Sequence, residues 1–344
     1  MRRFIIAVLA LAMLAAGAQG EENIRKAEIL ELPEPMDGEF AILTRELDPL
    51  IGPHEEGYLF EDGEKSPTGY ADPSITVNVG TGRIYDTWYM YARVKIADPN
   101  QIRVMTANAS LSSNSSVMGH LLARRVQAVV AINGVLEADV SGGSSYAFVD
   151  GPVLHQGVWK RPSATVSASK LANWRARSGL DTLVIDDAGD LRILEASTWG
   201  ETYDQIMALG DAAVNAIAFG PALVVDGEPR YGYNNRQMAT HRLAQRMAIC
   251  QTGPLEYLLI TSEGPEDQGS KGLTLDQFVE LLASFPDIQT AYNLDGGSCA
   301  TLVFRKEDAL WAKINSPKNG KSRNLKDIIY FADAWVPNGE EATE

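Results

Sequence analysis

The chain has 344 residues, 45% of them apolar, and a formal net charge of −15. Nucleic acids and anionic membranes bind proteins through clustered lysine and arginine, so a surface this acidic repels them and we expect no nucleic-acid partner. Two cysteines, Cys250 and Cys299, are too few for a disulfide scaffold or a cysteine-rich zinc site. In an oxidising compartment they could form one bridge, and two separate buried thiols are the equal alternative.

Residues 1–20 have the pattern of a secretory signal peptide. Arg2 and Arg3 precede an apolar run from Phe4 to Ala16, and the small residues that follow suit cleavage. The run is shorter than the ~20 apolar residues that span a bilayer. We therefore expect cleavage, no stable membrane insertion afterwards, and a secreted or cell-envelope location. A membrane-anchoring helix is the alternative.

Two regions follow the signal peptide. Residues 21–72 combine a charged start with proline and glycine breaks, and we predict an accessory segment with one short helix, at about residues 40–50, and loops. After residue 72 the pattern changes to short apolar or β-branched runs with turn signals between them. Residues 73–338 are therefore the predicted main domain.

The main domain is predicted to contain many strands and few helices. Strands are predicted at residues 87–96, 102–106, 127–132, 183–187, 191–194, 222–225, 247–251, 257–261, 292–294, 301–304 and 327–331. Trp88, within the first of these, is assigned to the core. Helices are predicted at 115–125 and 274–284, the second with a capping box of Thr274 and Gln277. This mixture predicts an α+β fold with a mixed, largely antiparallel sheet.

Polar side chains follow several of these strands, which is the usual setting of a functional site on a rigid scaffold. The strongest candidate is the run Asn293-Leu294-Asp295-Gly296-Gly297-Ser298. Its Asn and Asp alternate around the leucine, so both side chains leave one face of the strand. Its two glycines let the backbone approach a ligand closely or adopt a positive φ. A simple hairpin turn is the alternative.

Three other segments add candidate residues. Asn133 and Gly134 end a buried strand, and Glu137 adds a carboxylate just beyond them. Arg246 leads into one apolar strand and Arg323 precedes another, and a guanidinium is a two-pronged donor suited to phosphate. Taken singly, each has a plainer interpretation as a turn, a solvated carboxylate or a surface ion pair.

Together these segments resemble the phosphodiester glycosidase family over about residues 74–336. The run at 293–298 is similar to the family's NLDGGGS signature, and residues 246–249 are similar to its Arg-Thr-Ala-Ile-Gly strand. The matching segments, in the family's order, are residues 131–134, 220–227, 246–249 and 293–298, then Arg323. The resemblance implies a phosphodiester-glycosidase-like catalytic domain.

The implied activity is that of an exported hydrolase that cleaves an N-acetylglucosamine-like sugar from a sugar 1-phosphodiester in cell-envelope or extracellular glycans. The departing phosphate monoester has a second pKa near ~6, so a strong general acid is less necessary than in other glycosidases. The reaction does need charge stabilisation of the phosphate and a carboxylate for the oxocarbenium-like centre. We assign Asp295 as base or nucleophile, and Arg246, with Arg323 in support, to the phosphate. Glu137 is a second catalytic candidate on chemical grounds alone.

The predicted substrate-binding residues are Asn133, Gly134, Asn293, Gly296, Gly297, Ser298 and Arg323. Asn133 and Asn293 would hold sugar hydroxyls or orient Asp295. No cofactor is certain, although Asp295 and backbone oxygens could hold a divalent cation, since hard cations take carboxylate and carbonyl ligands.

Two other functions stay open. A non-catalytic glycan-binding envelope protein on the same fold would use Trp159, Trp174 and Tyr146 as stacking residues. A thiol hydrolase would use Cys299 and His241, although nothing in the local sequence supplies the base and the lowered thiol pKa that it needs.

Overall fold

The computed structural model describes residues 30–45, 51–107, 116–134, 151–233, 239–265, 269–316 and 322–337. The strands are β1 (Tyr58–Leu59), β2 (Gly69–Ala71), β3 (Ile75–Ile84), β4 (Thr87–Ile96), β5 (Ile102–Thr106), β6 (Val130–Asn133), β7 (Val153–His155), β8 (Val158–Arg161), β9 (Thr182–Asp186), β10 (Leu191–Leu194), β11 (Ala213–Ala218), β12 (Ala222–Val225), β13 (Glu228–Pro229), β14 (Met247–Gly253), β15 (Glu256–Ser262), β16 (Thr290–Leu294), β17 (Leu302–Lys306), β18 (Ala309–Lys313) and β19 (Asp327–Phe331). The helices are α1 (Gly119–Arg125), α2 (Ala168–Arg175), α3 (Trp199–Leu209) and α4 (Leu275–Ala283).

These strands form three sheets. The large sheet has the order β1-β2-β3-β4-β15-β14-β16-β12-β13, the second sheet β10-β9-β11-β7-β8, and the third sheet β18-β17-β6-β19-β5. Every strand pair within the described residues is antiparallel. The predicted α+β fold, largely antiparallel and with few helices, is confirmed.

The central core lies on one face of the large sheet. Because side chains alternate along a strand, Met247 and Ile249 of β14 join this core, together with residues of the second and third sheets. Ala248 and Cys250 point to the other face and pack in the cluster that includes α4. Both faces of the strand are therefore buried, in agreement with its continuous apolar sequence.

Helix α4 confirms the capping box that the sequence predicts. The Thr274 hydroxyl accepts a hydrogen bond from the Gln277 N–H at 3.2 Å, and the Gln277 side chain accepts one from the Thr274 N–H at 3.0 Å. Phe278, Val279 and Leu282 are fully buried against the large sheet. Among the described residues, no helix is long and apolar enough to cross a membrane.

The predicted helix at residues 40–50 is wrong over its described part, residues 40–45. Phe40 instead forms an antiparallel bridge with Trp335, and the Ala41 N–H donates to the Ala334 carbonyl at 2.7 Å. Pairing with the C-terminal segment thus overrides the local helix propensity. The accessory segment also contributes β1 and β2, which pair next to β3 in the large sheet.

Two further expectations meet the structure here. Trp88 is 41% exposed, so its assignment to the core is wrong; it lies near the β3–β4 turn, where the large sheet is open on one side. Cys250 and Cys299 are both buried and free, and the disulfide alternative is therefore wrong. Residues 1–20, Glu137 and Tyr146 lie outside the described residues.

Candidate active site

The predicted site residues gather where three strands end. On the large sheet, β14 and β16 pair with Met247 opposite Leu294. The Gly297 N–H donates to the Gln245 carbonyl at 3.0 Å, so the two segments stay paired beyond the ends of β14 and β16. This continued register places Asp295 opposite Arg246, although 49 positions separate them in the sequence.

Residues 295–299, here called the site loop, need glycine at two positions for different reasons. A Cβ on Gly296 would lie 2.2 Å from the Gln245 carbonyl oxygen, a distance that no side chain tolerates. Gly297 has open space around it but a φ of +58°, in the left-handed region that favours glycine. Asp295, Gly296, Gly297 and Ser298 are all half-buried, so a small molecule can reach this loop.

Asn133, at the end of β6, holds the site loop in place. Its side-chain amide donates to the Asp295 carbonyl at 2.9 Å, and its side-chain oxygen accepts from the Thr301 N–H at 3.0 Å. The side chain is 1% exposed. This geometry corresponds to orienting Asp295, the second of its two predicted roles, and leaves the amide turned away from solvent.

Asn293 and Gly134 are also buried braces. The Asn293 amide donates to the Gly220 carbonyl at 2.8 Å, and its N–H donates to the Pro221 carbonyl at 3.1 Å. Gly134 lies directly against Asp327, because a Cβ at position 134 would be 2.5 Å from a carboxylate oxygen of Asp327. Both residues fix strand ends around the site loop.

Asp295, Cys299 and Arg323 form the chemical centre of the site. The Asp295 carboxylate and the Arg323 guanidinium both act on the Cys299 thiol, Asp295 raising its pKa and Arg323 lowering it. Arg323 is exposed, and its backbone N–H donates to the Ser298 carbonyl at 3.0 Å, which ties it to the site loop. A carboxylate and a guanidinium thus share one partner at a position that solvent reaches.

The Cys299 thiol is neutral in this setting. Burial first, and then the negative charge of Asp295, raise the pKa of the thiol, and the opposing effect of Arg323 is smaller. A thiol hydrolase needs a lowered thiol pKa, so this environment is the reverse of the one that mechanism requires.

Arg246 is buried beside the site loop, with 6% of its surface exposed. Its Nε–H donates to the Leu273 carbonyl at 3.0 Å, and its Nη2 donates to the Ala239 and Arg242 carbonyls at 2.9 and 2.7 Å. Burial lowers the pKa of Arg246 to about 10, so it remains charged at neutral pH. Its side chain therefore holds the 239–242 turn, and Arg323 is the guanidinium that faces solvent.

Asp295 and Arg323 both act on the Cys299 thiol, so a positive charge lies near the carboxylate that would hold a divalent cation. Across the part of the chain that the structure describes, no group of three or more His, Cys, Asp or Glu side chains could hold a metal ion.

Sequence reasoning missed two polar residues next to the site loop. Gln245 and Glu263 are buried, and the Gln245 amide donates to a Glu263 carboxylate oxygen at 3.1 Å. The other Glu263 oxygen accepts from the Ser316 N–H at 2.8 Å. Glu263 follows the predicted strand at 257–261, so a polar residue at the end of an apolar strand was an available signal.

Three antiparallel sheets, with a carboxylate and a guanidinium on loops at the strand ends, define an α+β domain. The chain belongs to the phosphodiester glycosidase family, whose model matches residues 126–332. No curated protein sequence is significantly similar to it.

Several solved structures resemble the chain, among them the following two. The first is the catalytic domain of zebrafish N-acetylglucosamine-1-phosphodiester alpha-N-acetylglucosaminidase, auto-inhibited by its pro-peptide, with a TM-score of 0.56 and 18% identity. That match covers 80% of this chain and 87% of the zebrafish chain. The second, a hypothetical protein from Synechocystis, has a TM-score of 0.49 and 14% identity, covering 77% of this chain and 63% of the other. The zebrafish domain shares the fold.

Proposed function

We propose that the chain is an exported hydrolase that cleaves an N-acetylglucosamine-like sugar from a sugar 1-phosphodiester. The observation that carries the proposal is the pairing of a half-buried Asp295 with an exposed Arg323 around Cys299. Membership of the phosphodiester glycosidase family supports the reaction type. The name of the zebrafish enzyme that shares the fold supports the choice of sugar and bond.

The proposed reaction is a displacement at the anomeric carbon. A water oxygen bonds to that carbon, the bond from the carbon to the phosphate oxygen breaks, and a phosphate monoester leaves with the bonding electrons. Asp295 either accepts the proton of the water or attacks the carbon itself, in which case water then hydrolyses the glycosyl-enzyme. The leaving group is stable without protonation because its second pKa is near ~6.

Arg323 is the proposed phosphate ligand, since it is exposed and its guanidinium acts on the same Cys299 thiol as Asp295. A guanidinium matches two phosphate oxygens at once. Arg246 supports the phosphate indirectly in this scheme: its buried positive charge lies under the site loop, and its hydrogen bonds fix the neighbouring turn. The role of Glu137 as a second catalytic carboxylate stays a prediction.

The substrate contacts that we propose come from the site loop. Gly296, Gly297 and Ser298 are half-buried and offer backbone groups to the sugar or its phosphate. Asn133 and Asn293 act through the backbone segments that they brace. Gly134 acts in the same way, by allowing β6 to end directly against Asp327.

The test is release of sugar from a panel of sugar 1-phosphodiesters by the purified mature protein, with and without chelator. Asp295→Asn should lower turnover by about a hundredfold or more, as loss of a general base does. Asp308→Asn is the matched control, because Asp308 is an exposed carboxylate in the turn between β17 and β18. Turnover of Asp295→Asn within about threefold of the wild type would remove its assigned role. Loss of activity in the presence of chelator would support the hypothesis that Asp295 holds a divalent cation.

The exported location rests on the N-terminal sequence pattern. Expression of the full chain in a cell with a secretory pathway, followed by N-terminal sequencing of the product, tests it. A product that begins near residue 21 in the extracytoplasmic fraction supports export, and one that stays uncleaved in the cytoplasm contradicts it.

A second candidate function is glycan binding without cleavage. Trp159 lines a pocket of about 210 Å³ together with Arg45 and Asp211, so an aromatic ring and polar groups border one concave surface there. Trp174 does not fit this role: it is 9% exposed and packs edge-on against Tyr203, so its predicted stacking function is wrong. Glycan binding with no released sugar in the same panel would favour this candidate.

A further inference from the structure

The segment just after β18, residues 314–316, lies alongside the end of the site loop. The Ile314 N–H donates to the Leu302 carbonyl at 2.9 Å, which continues the pairing of β18 with β17. The buried Asn315 side chain then donates to the Ala300 carbonyl at 3.0 Å and accepts from the Leu302 N–H at 2.8 Å. The segment is therefore fixed to the residue that directly follows the site loop.

Two buried asparagines thus hold the two ends of the site loop. Asn133 donates to the carbonyl of Asp295, the first residue of the loop, and Asn315 donates to the carbonyl of Ala300, just beyond the last. In both places a side-chain amide does what a backbone N–H does in a strand pair. These two contacts fix the ends of the loop but not its middle.

The buried Glu263 carboxylate joins the 314–316 segment to the residue that holds the middle of the loop. One oxygen accepts from the Ser316 N–H at 2.8 Å, and the other accepts from the Gln245 side-chain amide at 3.1 Å. The same amide also donates to the Ser316 carbonyl at 2.9 Å, which closes a ring of hydrogen bonds. The Gln245 backbone carbonyl in turn accepts from the Gly297 N–H at 3.0 Å. The ring therefore reaches the site loop through one residue, Gln245.

A carboxylate is the group that this ring requires at position 263. Two N–H donors converge on the side chain, and a carboxylate accepts at both of its oxygens. Glutamine has nearly the same size, but its amide NH₂ would face one of these donors, so one of the two hydrogen bonds would be lost. Hydrogen bonds to a charged acceptor are also stronger than neutral ones, and they offset the cost of burying the carboxylate.

The backbone on which Glu263 sits is firmly placed. Its N–H donates to the Trp88 carbonyl at 2.7 Å, and the preceding Ser262 N–H donates to the Arg246 carbonyl at 3.0 Å. On the following residue, a Cβ added to Gly264 would lie 2.5 Å from the Gln245 Cγ, so the chain packs directly on the Gln245 side chain. The carboxylate is therefore presented to its partners from the paired strands of the large sheet.

We propose that Glu263 is a positioning residue of the site. It holds the Gln245 and Ser316 segments at a fixed separation, and these two segments fix the site loop and with it Asp295. Glu263 acts through Gln245 and Ser316 and does not contact the substrate, since it is buried. Its effect on turnover rests on the proposed function, whereas its effect on the order of the loop does not.

The first test is Glu263→Gln in the sugar-release assay. Its kcat should fall about tenfold, the factor by which the loss of one buried hydrogen bond changes an equilibrium. Glu263→Asp keeps the acceptor one carbon short of its partners, and it gives the same comparison should Glu263→Gln not fold. The exchange of both residues, Gln245→Glu with Glu263→Gln, again places an amide against a carboxylate. Its kcat should therefore exceed that of either single variant.

Asp190→Asn is the matched control. Gln251 follows Gln245 by six positions along the same chain, ~20 Å away at the rise of a strand, and its side-chain amide donates to the Asp190 carboxylate at 2.7 Å. The control thus removes a glutamine–carboxylate hydrogen bond far from the site loop. Both Asp190→Asn and Glu263→Gln should lower the urea midpoint, and Asp190→Asn should keep the wild-type kcat.

The two buried cysteines report on the loop without catalysis. Cys299 is the last residue of the site loop, and Cys250 lies within β14. Glu263→Gln should raise the rate of iodoacetamide labelling of Cys299 about tenfold, measured by mass spectrometry, because the loop opens more often. Cys250 in that variant, and Cys299 in Asp190→Asn, should be labelled at the wild-type rate.

A wild-type kcat, or wild-type labelling of Cys299, in Glu263→Gln would overturn the positioning role. An equal fall of kcat in Asp190→Asn would also overturn it, because turnover would then follow overall stability. If the wild type releases no sugar from any phosphodiester of the panel, the proposed function fails separately. The labelling of Cys299 in Glu263→Gln then decides: faster labelling supports the positioning role, and an unchanged rate overturns it.

Discussion

Replacement of Gly296 by alanine tests how closely the site loop approaches its neighbour. The added Cβ would lie 2.2 Å from the Gln245 carbonyl oxygen and 3.5 Å from the Arg246 Cα. An ordinary carbon–oxygen contact is ~3.3 Å or more. The obstacle is backbone and cannot rotate away, so the loop must retreat by about 1 Å. Overpacking of this kind costs about 1–3 kcal/mol of unfolding free energy.

The retreat would also displace Asp295, because it is the preceding residue and the hydrogen bond from Gly297 to Gln245 would be stretched from 3.0 Å. A misplacement of about 1 Å in a catalytic group lowers turnover by about a hundredfold. Urea denaturation followed by tryptophan fluorescence and the sugar-release assay measure the two effects.

Gly297→Asn is the matched control, since position 297 has open space and asparagine tolerates a positive φ better than other residues. It should lose less stability and less activity than Gly296→Ala. A wild-type urea midpoint for Gly296→Ala, together with a turnover number within about threefold of the wild type, would contradict the close approach of residue 296 to the Gln245 carbonyl.

Three other changes test the buried groups. Asn133→Ala should lose about 1–3 kcal/mol in urea denaturation, because it leaves buried backbone groups without partners; an unchanged midpoint would contradict the bracing role. Burial, and then the neighbouring Asp72, raise the pKa of Asp333 to about 9. The folded protein thus keeps a proton that the unfolded chain releases near pH ~4, so the unfolding free energy should fall as pH rises from about 4 to 9. Asp333→Asn should flatten that slope in urea titrations at several pH values, and an unaltered slope would refute the assignment. Iodoacetamide should label neither Cys250 nor Cys299 in the native protein and both in urea, since burial raises both thiol pKa values; rapid native labelling by mass spectrometry would disprove this.

The strands that the sequence predicts best are those whose own side chains specify them. Residues 87–96, 102–106, 191–194, 222–225 and 327–331 form strands at the predicted boundaries, and each run contains several β-branched, aromatic or other apolar side chains. No partner strand needs to be known to recognise such a segment.

Strand β3 was missed for a physical reason. Its sequence contains Gly80 and Gly82, and glycine normally weakens a strand. In the sheet these glycines lie opposite Tyr91 and Tyr89, and a Cβ at either position would lie 2.2–2.3 Å from an atom of the facing tyrosine ring. The glycines make room for the rings, and that requirement appears only once the two strands are paired.

The candidate site also combines features that the sequence predicts with features that only the structure reveals. The sequence indicates which segments carry polar residues at strand ends, and in the structure Asp295 and Arg323 lie close to the same thiol, that of Cys299. The sequence could not indicate that Arg246 is buried, because that burial depends on the 239–242 turn folding over the Arg246 guanidinium. Arginine at a strand end has the same local pattern in both situations.

The residues around the site loop are of two kinds, buried and exposed. Asn133, Asn293 and Arg246 are buried, and their side-chain hydrogen bonds go to backbone groups of the protein itself. A buried polar group that loses its partner costs about 1–3 kcal/mol, so replacing these residues should lower stability and activity together. Arg323 is exposed, and a surface side chain contributes little to stability. Loss of activity without loss of stability is therefore the signature expected of a residue that contacts the substrate, and Arg323→Ala is the variant in which the two effects separate most clearly.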